Sequence, residues 1–397
     1  MPSRFALVSC ALGVLVLTTQ ASADTVYVPS EQATIQAGID AAGDGGTVIV
    51  SPGTYDGPGN RDIDFSGMNV TLQSSDGPSA TIIDGGGSHR AFYFHTGEDT
   101  TCLVEGFTIA NCSGDYGGAV RCQNASPALR DCVLSSNDAT NGGGAFHSDS
   151  NSAPRLSSCV FEFNSAQFGG AVQLDGSGGK LRDCSFDGND ASLRGGAAYV
   201  RFIAETEFED CDFGYNTAQW GGAVYSVDAE SGFQGCTFTA NEATWGGAVY
   251  VQNSYNPPAF AGCTFVDNEG GGLHVQDGCP IVTRSIIAFN RTAPAVVCSG
   301  IGVPGFSHCY VFGNAGGDSL CGVHADNAFE DPRLCAFAEG NVELCNDSPC
   351  LPAANPWGEQ VGSRPAGCPD CGSPVTKSSW GSIKGMYSIK GMYRMRP

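Results

Sequence analysis

The chain is 397 residues long and strongly acidic, with 41 Asp plus Glu against 19 Lys plus Arg. All of the acids but only 13 of the bases fall between residues 24 and 370, where Lys180 is the sole lysine. That balance argues against nucleic acid or an anionic membrane surface as a partner, and suits solubility, cations or a salty surrounding.

Residues 1–23 read as a secretory signal. Arg4 precedes an apolar run from Phe5 to Leu17, and Ala21-Ser22-Ala23 offers small residues for cleavage before Asp24. Leu7-Val8-Ser9-Cys10 looks like a lipoprotein acylation box, but cleavage there leaves an apolar run too short to engage export. No later stretch reaches the roughly 20 apolar residues of a spanning helix, so no transmembrane helix is expected. The expected location is secreted or at the cell surface.

Residues 24–106 read as a cap with the first coils of a solenoid. Thr34 to Ala42 predicts a short amphipathic helix, followed by a strand from Thr47 to Val50 and a Pro52-Gly53 turn. A helix there would cover backbone that an open solenoid end leaves unpaired.

Residues 107–314 carry the repeat. Aligned on Cys-x-Phe-x-x-Asn, the chain gives Cys132/Leu134/Asn137, Cys159/Phe161/Asn164, Cys184/Phe186/Asn189, Cys211/Phe213/Asn216, Cys236/Phe238/Asn241 and Cys263/Phe265/Asn268, spaced alternately by 27 and 25 residues. Weaker copies occur at Phe107/Asn111, Ile287/Asn290 and Cys309/Val311/Asn314. Gly-Gly-Ala follows each Asn of the best copies, as at Gly195-Gly196-Ala197 and Gly221-Gly222-Ala223. Asn and Gly both accept left-handed backbone, and equivalent Asn side chains in register can form a hydrogen-bonded ladder.

Between these turns the segments are too short for helices and rich in Val, Phe, Tyr and Thr. The fold class is therefore all-β, a right-handed parallel β-helix solenoid with three short strands per coil. Cys and Phe of one strand share the inward face by period-two alternation. In the third strand Val224 and its equivalents point inward. Arg121, His147, Gln173, Tyr199, Tyr225, Tyr250 and His274 are expected to face out, the histidines as plain surface residues.

Residues 315–371 read as irregular, Cys-rich coils. The cysteine column at 132, 159, 184, 211, 236 and 263 has inward phase and suits packing, whereas Cys335, Cys345, Cys350, Cys368 and Cys371 are the better disulfide candidates. Cys368-x-x-Cys371 by itself is a weak zinc or redox signal. Residues 372–397 form a linker and a basic tail in which Ser382 to Tyr387 repeats as Ser388 to Tyr393. Such a tail on an acidic body suggests sorting or attachment machinery as a partner.

Phe-x-x-Asn followed by Gly-Gly-Ala resembles the repeat of the polymorphic outer membrane protein family of surface adhesins and autotransporters, from about Phe107 to Asn314. Thr34-Ile35-Gln36 through Val50-Ser51-Pro52-Gly53-Thr54-Tyr55 is similar to the opening of many pectin-lyase-like β-helix proteins. The tail, at Trp380, Gly381, Ile383, Lys384, Tyr387 and Tyr393-Arg394, is similar to short endings found on exported bacterial proteins. The resemblances imply one fold, and either an adhesin-like or structural role on a bacterial surface, outer membrane included, or the activity of a polysaccharide lyase or glycoside hydrolase.

Two groups of residues are candidates for a site. Phe168, Trp220 and Trp245, with Arg194 in the coil between, precede the Gly-Gly pairs, and Tyr199, Tyr225 and Tyr250 form a second row. Displayed at coil spacing they suit stacking on a glycan or contact with a protein; alternatively they stack on one another, Arg194 adding cation–π contacts. Asp183 and Asp210 occupy one corner in adjacent coils, with Glu207 and Asp212 near. They are open to three readings: solvated surface balanced by Arg182, a calcium site, or a catalytic carboxylate pair. No other cofactor is expected.

Overall fold

A computed structural model describes residues 24–371 apart from 150, 203–204, 254–257, 338–339 and 370. The expected signal and the basic tail therefore lie outside the described residues. The chain winds as a parallel β-solenoid of about 13 turns with one short helix near its start. Three long sheets run its length. The first has thirteen strands, from Thr25–Val28 to Val323–Ala325; the second has eleven, from Gly53–Tyr55 to Tyr310–Phe312; the third has ten, from Ile63–Asp64 to Val296–Ser299.

The helix Ile35–Ala42 buries Ile35, Gly38, Ile39 and Ala42 and packs on Thr25–Val28 and Thr47–Val50. Thr34 caps it by accepting from the Ala37 N–H at 3.3 Å. Gly38 permits the close approach, since a Cβ there would lie 2.9 Å from a methyl of Val28.

One coil shows why the sequence folds this way. Gly179–Arg182 sends Leu181 inward, Asp183 turns the corner, and Ser185–Asp187 sends Phe186 inward. The second sheet's Phe161, Phe186, Phe213, Phe238 and Phe265 stack ring on ring, their centroids 4.8 to 4.9 Å apart. Aromatic pairs of this kind contribute about 0.5–1.5 kcal/mol each beyond burial.

The Asn ladder is present and continuous. From Asn137 through Asn164, Asn189, Asn216, Asn241, Asn268 and Asn290 to Asn314, each Nδ2 donates to the next Oδ1 at 2.8–3.0 Å. Asp318 accepts from the last member. Two expectations are corrected. The left-handed residue of this corner is not the Asn but the one before it: Ser136, Phe163, Gly188, Tyr215, Ala240, Asp267, Phe289 and Gly313 all have positive φ. Asn111 is not in the ladder either; it is exposed, and the Cys112 N–H donates to Asn137 Oδ1 in its place.

A fourth sheet was not anticipated. In six coils the stretch after the Asn is itself a strand, from Ser113–Tyr116 through Asp190–Arg194 to Glu242–Trp245. The Gly-Gly pair joins it to the third sheet. Gly195 has φ +64°, and a Cβ on Gly196 would sit 2.1 Å from the carbonyl oxygen of Gly222 one coil on, so neither position accepts a side chain.

Beyond the last regular coils, Leu334–Ala336, Asn341–Cys345 and Ala366–Cys368 form a small mixed sheet. This terminal module lies against the outer face of the second sheet. Leu334, Phe337, Val342, Leu344 and Val361 pack on the outward Val266, Ile286, Ala288 and Tyr310. Ser363 bonds to the Thr237 and Thr264 hydroxyls at 2.9 Å, and the Arg364 guanidinium donates to Asp212. No helix among the described residues is long and apolar enough to cross a membrane.

Candidate functional site

The fourth sheet gathers several of the candidate residues into columns. Parallel pairing puts Tyr116, Gly142, Phe168, Arg194, Trp220 and Trp245 in register. Beside them runs a column of exposed polar residues, Asp115, Thr140, Gln167, Ser192, Gln219 and Thr244. A third column, at the Asn end of each strand, is Asp138, Ser165, Asp190, Thr217, Glu242 and Glu269. Within it the Ser165 hydroxyl donates to Asp138 at 2.6 Å and Thr217 donates to Asp190. An open groove of about 620 Å³ follows this column along Asp190, Thr217, Glu242, Thr244, Glu269 and Thr292.

The second aromatic row is not displayed. Tyr199, Tyr225 and Tyr250 are only 4%, 2% and 6% exposed, and His147, Gln173 and His274 are buried with them. The cause is the fourth sheet, whose last residue in each coil covers the outward residue of the third sheet one coil on. Tyr116 lies against His147, Phe168 against Tyr199, Arg194 against Tyr225 and Trp245 against His274. The phenols find amide partners, Tyr250 donating to Gln276 at 2.6 Å and Tyr225 to Gln252. Burial pushes the Tyr225 and Tyr250 phenols upward, against the lowering effect of Arg194. Arg194 is itself sandwiched between the Phe168 and Trp220 rings at 5.9 and 5.7 Å. Trp245 remains 49% exposed.

The acidic candidates are spread across a corner rather than converged. Asp183 and Asp210 are the corner residues themselves, with φ of 52° and 53°, a conformation Asp accepts more readily than most side chains. Glu207 belongs to the first sheet, where Lys180 bonds it at 2.9 Å and reaches Glu209 at 3.4 Å; Arg182 also holds Glu209, at 2.8 Å. Asp210 is pushed upward by burial and then by the charges of Asp183 and Glu209. Asp212 faces the other way and binds Arg364.

Asp212 instead lines a cleft of about 510 Å³ between the second sheet and the terminal module, with Asp187, Tyr215, Asn341, Glu343 and Arg364. Burial, then Glu162, pushes the Asp187 carboxyl up, and burial, then Asp187, does the same to the Tyr215 phenol. The sequence reading missed this cleft because Arg364 and Glu343 lie outside the repeat. A signal existed: Thr264-Phe265-Val266, Ile286-Ile287-Ala288 and Tyr310-Val311-Phe312 lose their polar-out alternation where the module covers them. The polar column beside the aromatics was legible too, as the Gln or Thr before Phe168, Trp220 and Trp245.

The cysteine column is buried and free. Each thiol donates to a carbonyl of the preceding coil, as Cys211 to Leu181 and Cys236 to Phe208, both at 3.4 Å. Burial pushes the thiol of Cys309, downstream of this column, up to about 12, which disfavours the thiolate. Of the expected disulfide candidates, Cys335 pairs with Cys368 and Cys345 with Cys371, whereas Cys350 is free and buried. A further bridge, Cys298–Cys321, was not anticipated.

Residues 191–314 match the family model described as right handed beta helix region. The fold is a right-handed parallel β-helix. One solved structure similar to this β-helix is that of a mannuronic acid specific polysaccharide family 6 lyase enzyme from human gut microbiota. It shares 14% identity at a TM-score of 0.39, over 89% of this chain and 91% of that one. No curated protein matches the sequence.

Proposed function

We propose that this β-helix is a non-catalytic binding protein that lays a glycan chain along its fourth sheet. The observation carrying the reading is the exposed column Gln167, Ser192, Gln219 and Thr244 running beside the in-register column Phe168, Arg194, Trp220 and Trp245. Sugars offer an apolar ring face and a fringe of hydroxyls, and this strip offers aromatic faces next to amides and hydroxyls, repeated at about 4.8 Å per coil. The buried Tyr199, Tyr225 and Tyr250 are the backing that holds the outer rings. Asp190, Glu242 and Glu269 along the groove favour a neutral polysaccharide over a polyanionic one. Export through residues 1–23, a place on a bacterial surface and attachment through the tail at 372–397 belong to the same adhesin-like reading.

The test is a polysaccharide array probed with the purified protein, scoring both retention and release of reducing or unsaturated ends. Retention without release, weakened at least tenfold in Trp220→Ala/Trp245→Ala, is the expected result. Release of oligosaccharides, abolished by Asp212→Asn or Arg364→Ala in the cleft, would replace the proposal with an enzymatic one.

A further inference from the structure

The sequence separates Cys335 and Cys345 from Cys368 and Cys371, but the small terminal sheet brings all four together. The sulfurs of Cys335, Cys345 and Cys368 lie within 4.8 Å of one another. Cys371 Sγ is bridged to Cys345 and sits 3.7 Å from Cys368 Sγ, to which it is not bonded. A zinc ion held by four thiolates at about 2.3 Å has sulfur–sulfur edges of about 3.8 Å, so the unbonded Cys368–Cys371 pair already spans such an edge. Cys368-x-x-Cys371 alone lacked a second ligand pair; Cys335 and Cys345 supply it. The cluster is largely shielded from solvent: Cys345 is buried and Cys335 and Cys368 are half-buried. The Cys371 N–H donates to Asp347 at 3.4 Å, and Asp347 is itself paired with Arg333.

We infer that Cys335, Cys345, Cys368 and Cys371 form one interchangeable cluster, closed as two disulfides when oxidised and as a four-thiolate zinc site when reduced. The chemistry balances with a phosphine as reductant. Each disulfide accepts two electrons from the phosphine and two protons from water, giving two thiols and the phosphine oxide. The four thiols then release four protons to solvent as they bind one Zn²⁺. Either closure ties Leu334–Ala336, Asn341–Cys345 and Ala366–Cys368 together, and so holds Arg364 on Asp212. This inference stands apart from the glycan proposal.

The experiment uses the full chain, reduced with a phosphine while zinc is present throughout, so that a module that opens without metal is still tested. Thiols are then alkylated and mapped by mass, beside a parallel sample reduced without zinc, and bound metal is counted. One zinc per chain is expected, with Cys335, Cys345, Cys368 and Cys371 protected and Cys279, Cys298 and Cys321 not. Cys298→Ser/Cys321→Ser should keep the metal and Cys335→Ser/Cys345→Ser should lose it. Equal alkylation of the four cysteines with and without zinc overturns the proposal, as does stoichiometric zinc in the Cys335→Ser/Cys345→Ser variant.

Discussion

The Arg194 guanidinium lies 5.0 Å from the centre of the Tyr225 ring, one coil away, while that ring is 2% exposed. A cation thus closes the gap that the aromatic column leaves at its one non-aromatic site between Phe168 and Trp220. Cation–π contacts contribute about 0.5–2 kcal/mol according to how desolvated they are. Arg194→Met, which keeps the length and removes the charge, should lower stability by about 1 kcal/mol in urea denaturation. Arg194→Lys should recover part of the loss. No loss in Arg194→Met would mean that Arg194 merely fills space.

The ladder makes a sharper prediction, because two Asn residues of similar sequence context have different surroundings. Asn216 donates from Nδ2 to Phe186 O and Asn241 Oδ1, and its Oδ1 accepts from the Asn189 N–H and Nδ2, all within 3.0 Å and buried. Asn111 is exposed and makes a single side-chain bond to Asp84 at 3.2 Å. Unsatisfied buried polar groups cost about 1–3 kcal/mol each. Asn216→Ala should therefore cost about 3 kcal/mol or more in denaturant unfolding, and Asn111→Ala, which gives up one exposed bond and leaves Ala at φ 52°, only about 1 kcal/mol.

How much of this was legible in the sequence follows from what each signal measures. Periodicity reports which residues face the core, so Phe186, Cys184 and Asn189 were placed from spacing alone. It cannot report a second layer, because Tyr199 and Tyr225 point away from the core and are covered only once Phe168, Arg194 and their neighbours form a sheet of their own. The corner was misassigned for a related reason. Phe163, Tyr215 and Ala240 carry positive φ despite poor intrinsic preference, since the buried hydrogen bonds of the following Asn fix the turn and override it. The cleft was hidden because Arg364 and Asp212 are 152 residues apart, and no local pattern links them.

His147 supplies a pH dependence. It is 3% exposed, and neither ring nitrogen has a hydrogen-bond partner among the described residues. Burial, followed by the charges of Arg121, Arg201 and Arg90 with Asp115 opposing, pushes it down to about 3. The unfolded chain takes up this proton near the ordinary 6.5 and the folded chain not until about 3. Protons therefore favour unfolding in that window, and the stabilisation present above 6.5 is lost as pH falls through it. His147→Gln should flatten the acid limb of the stability profile between pH 6.5 and 3, by at most about 1.4 kcal/mol per pH unit. An unchanged slope would place the acid sensitivity in other groups.

The corner acids separate two readings of the same pair. If Asp183 and Asp210 are solvated corner residues, their like charges oppose each other, and Asp183→Asn removes that repulsion while keeping a side chain that tolerates φ near 52°. Stability should then rise slightly, by up to about 0.5 kcal/mol, and the Asp210 carboxyl, now held upward by burial and Asp183, should titrate lower by NMR. If the pair instead holds calcium, added Ca²⁺ raises the melting temperature of the wild type and fails to do so in Asp183→Asn. The ion pairs of Lys180 and Arg182 with Glu207 and Glu209 already neutralise much of the neighbouring acid. The expected outcome is therefore a calcium-independent melting temperature and a modestly stabilised variant.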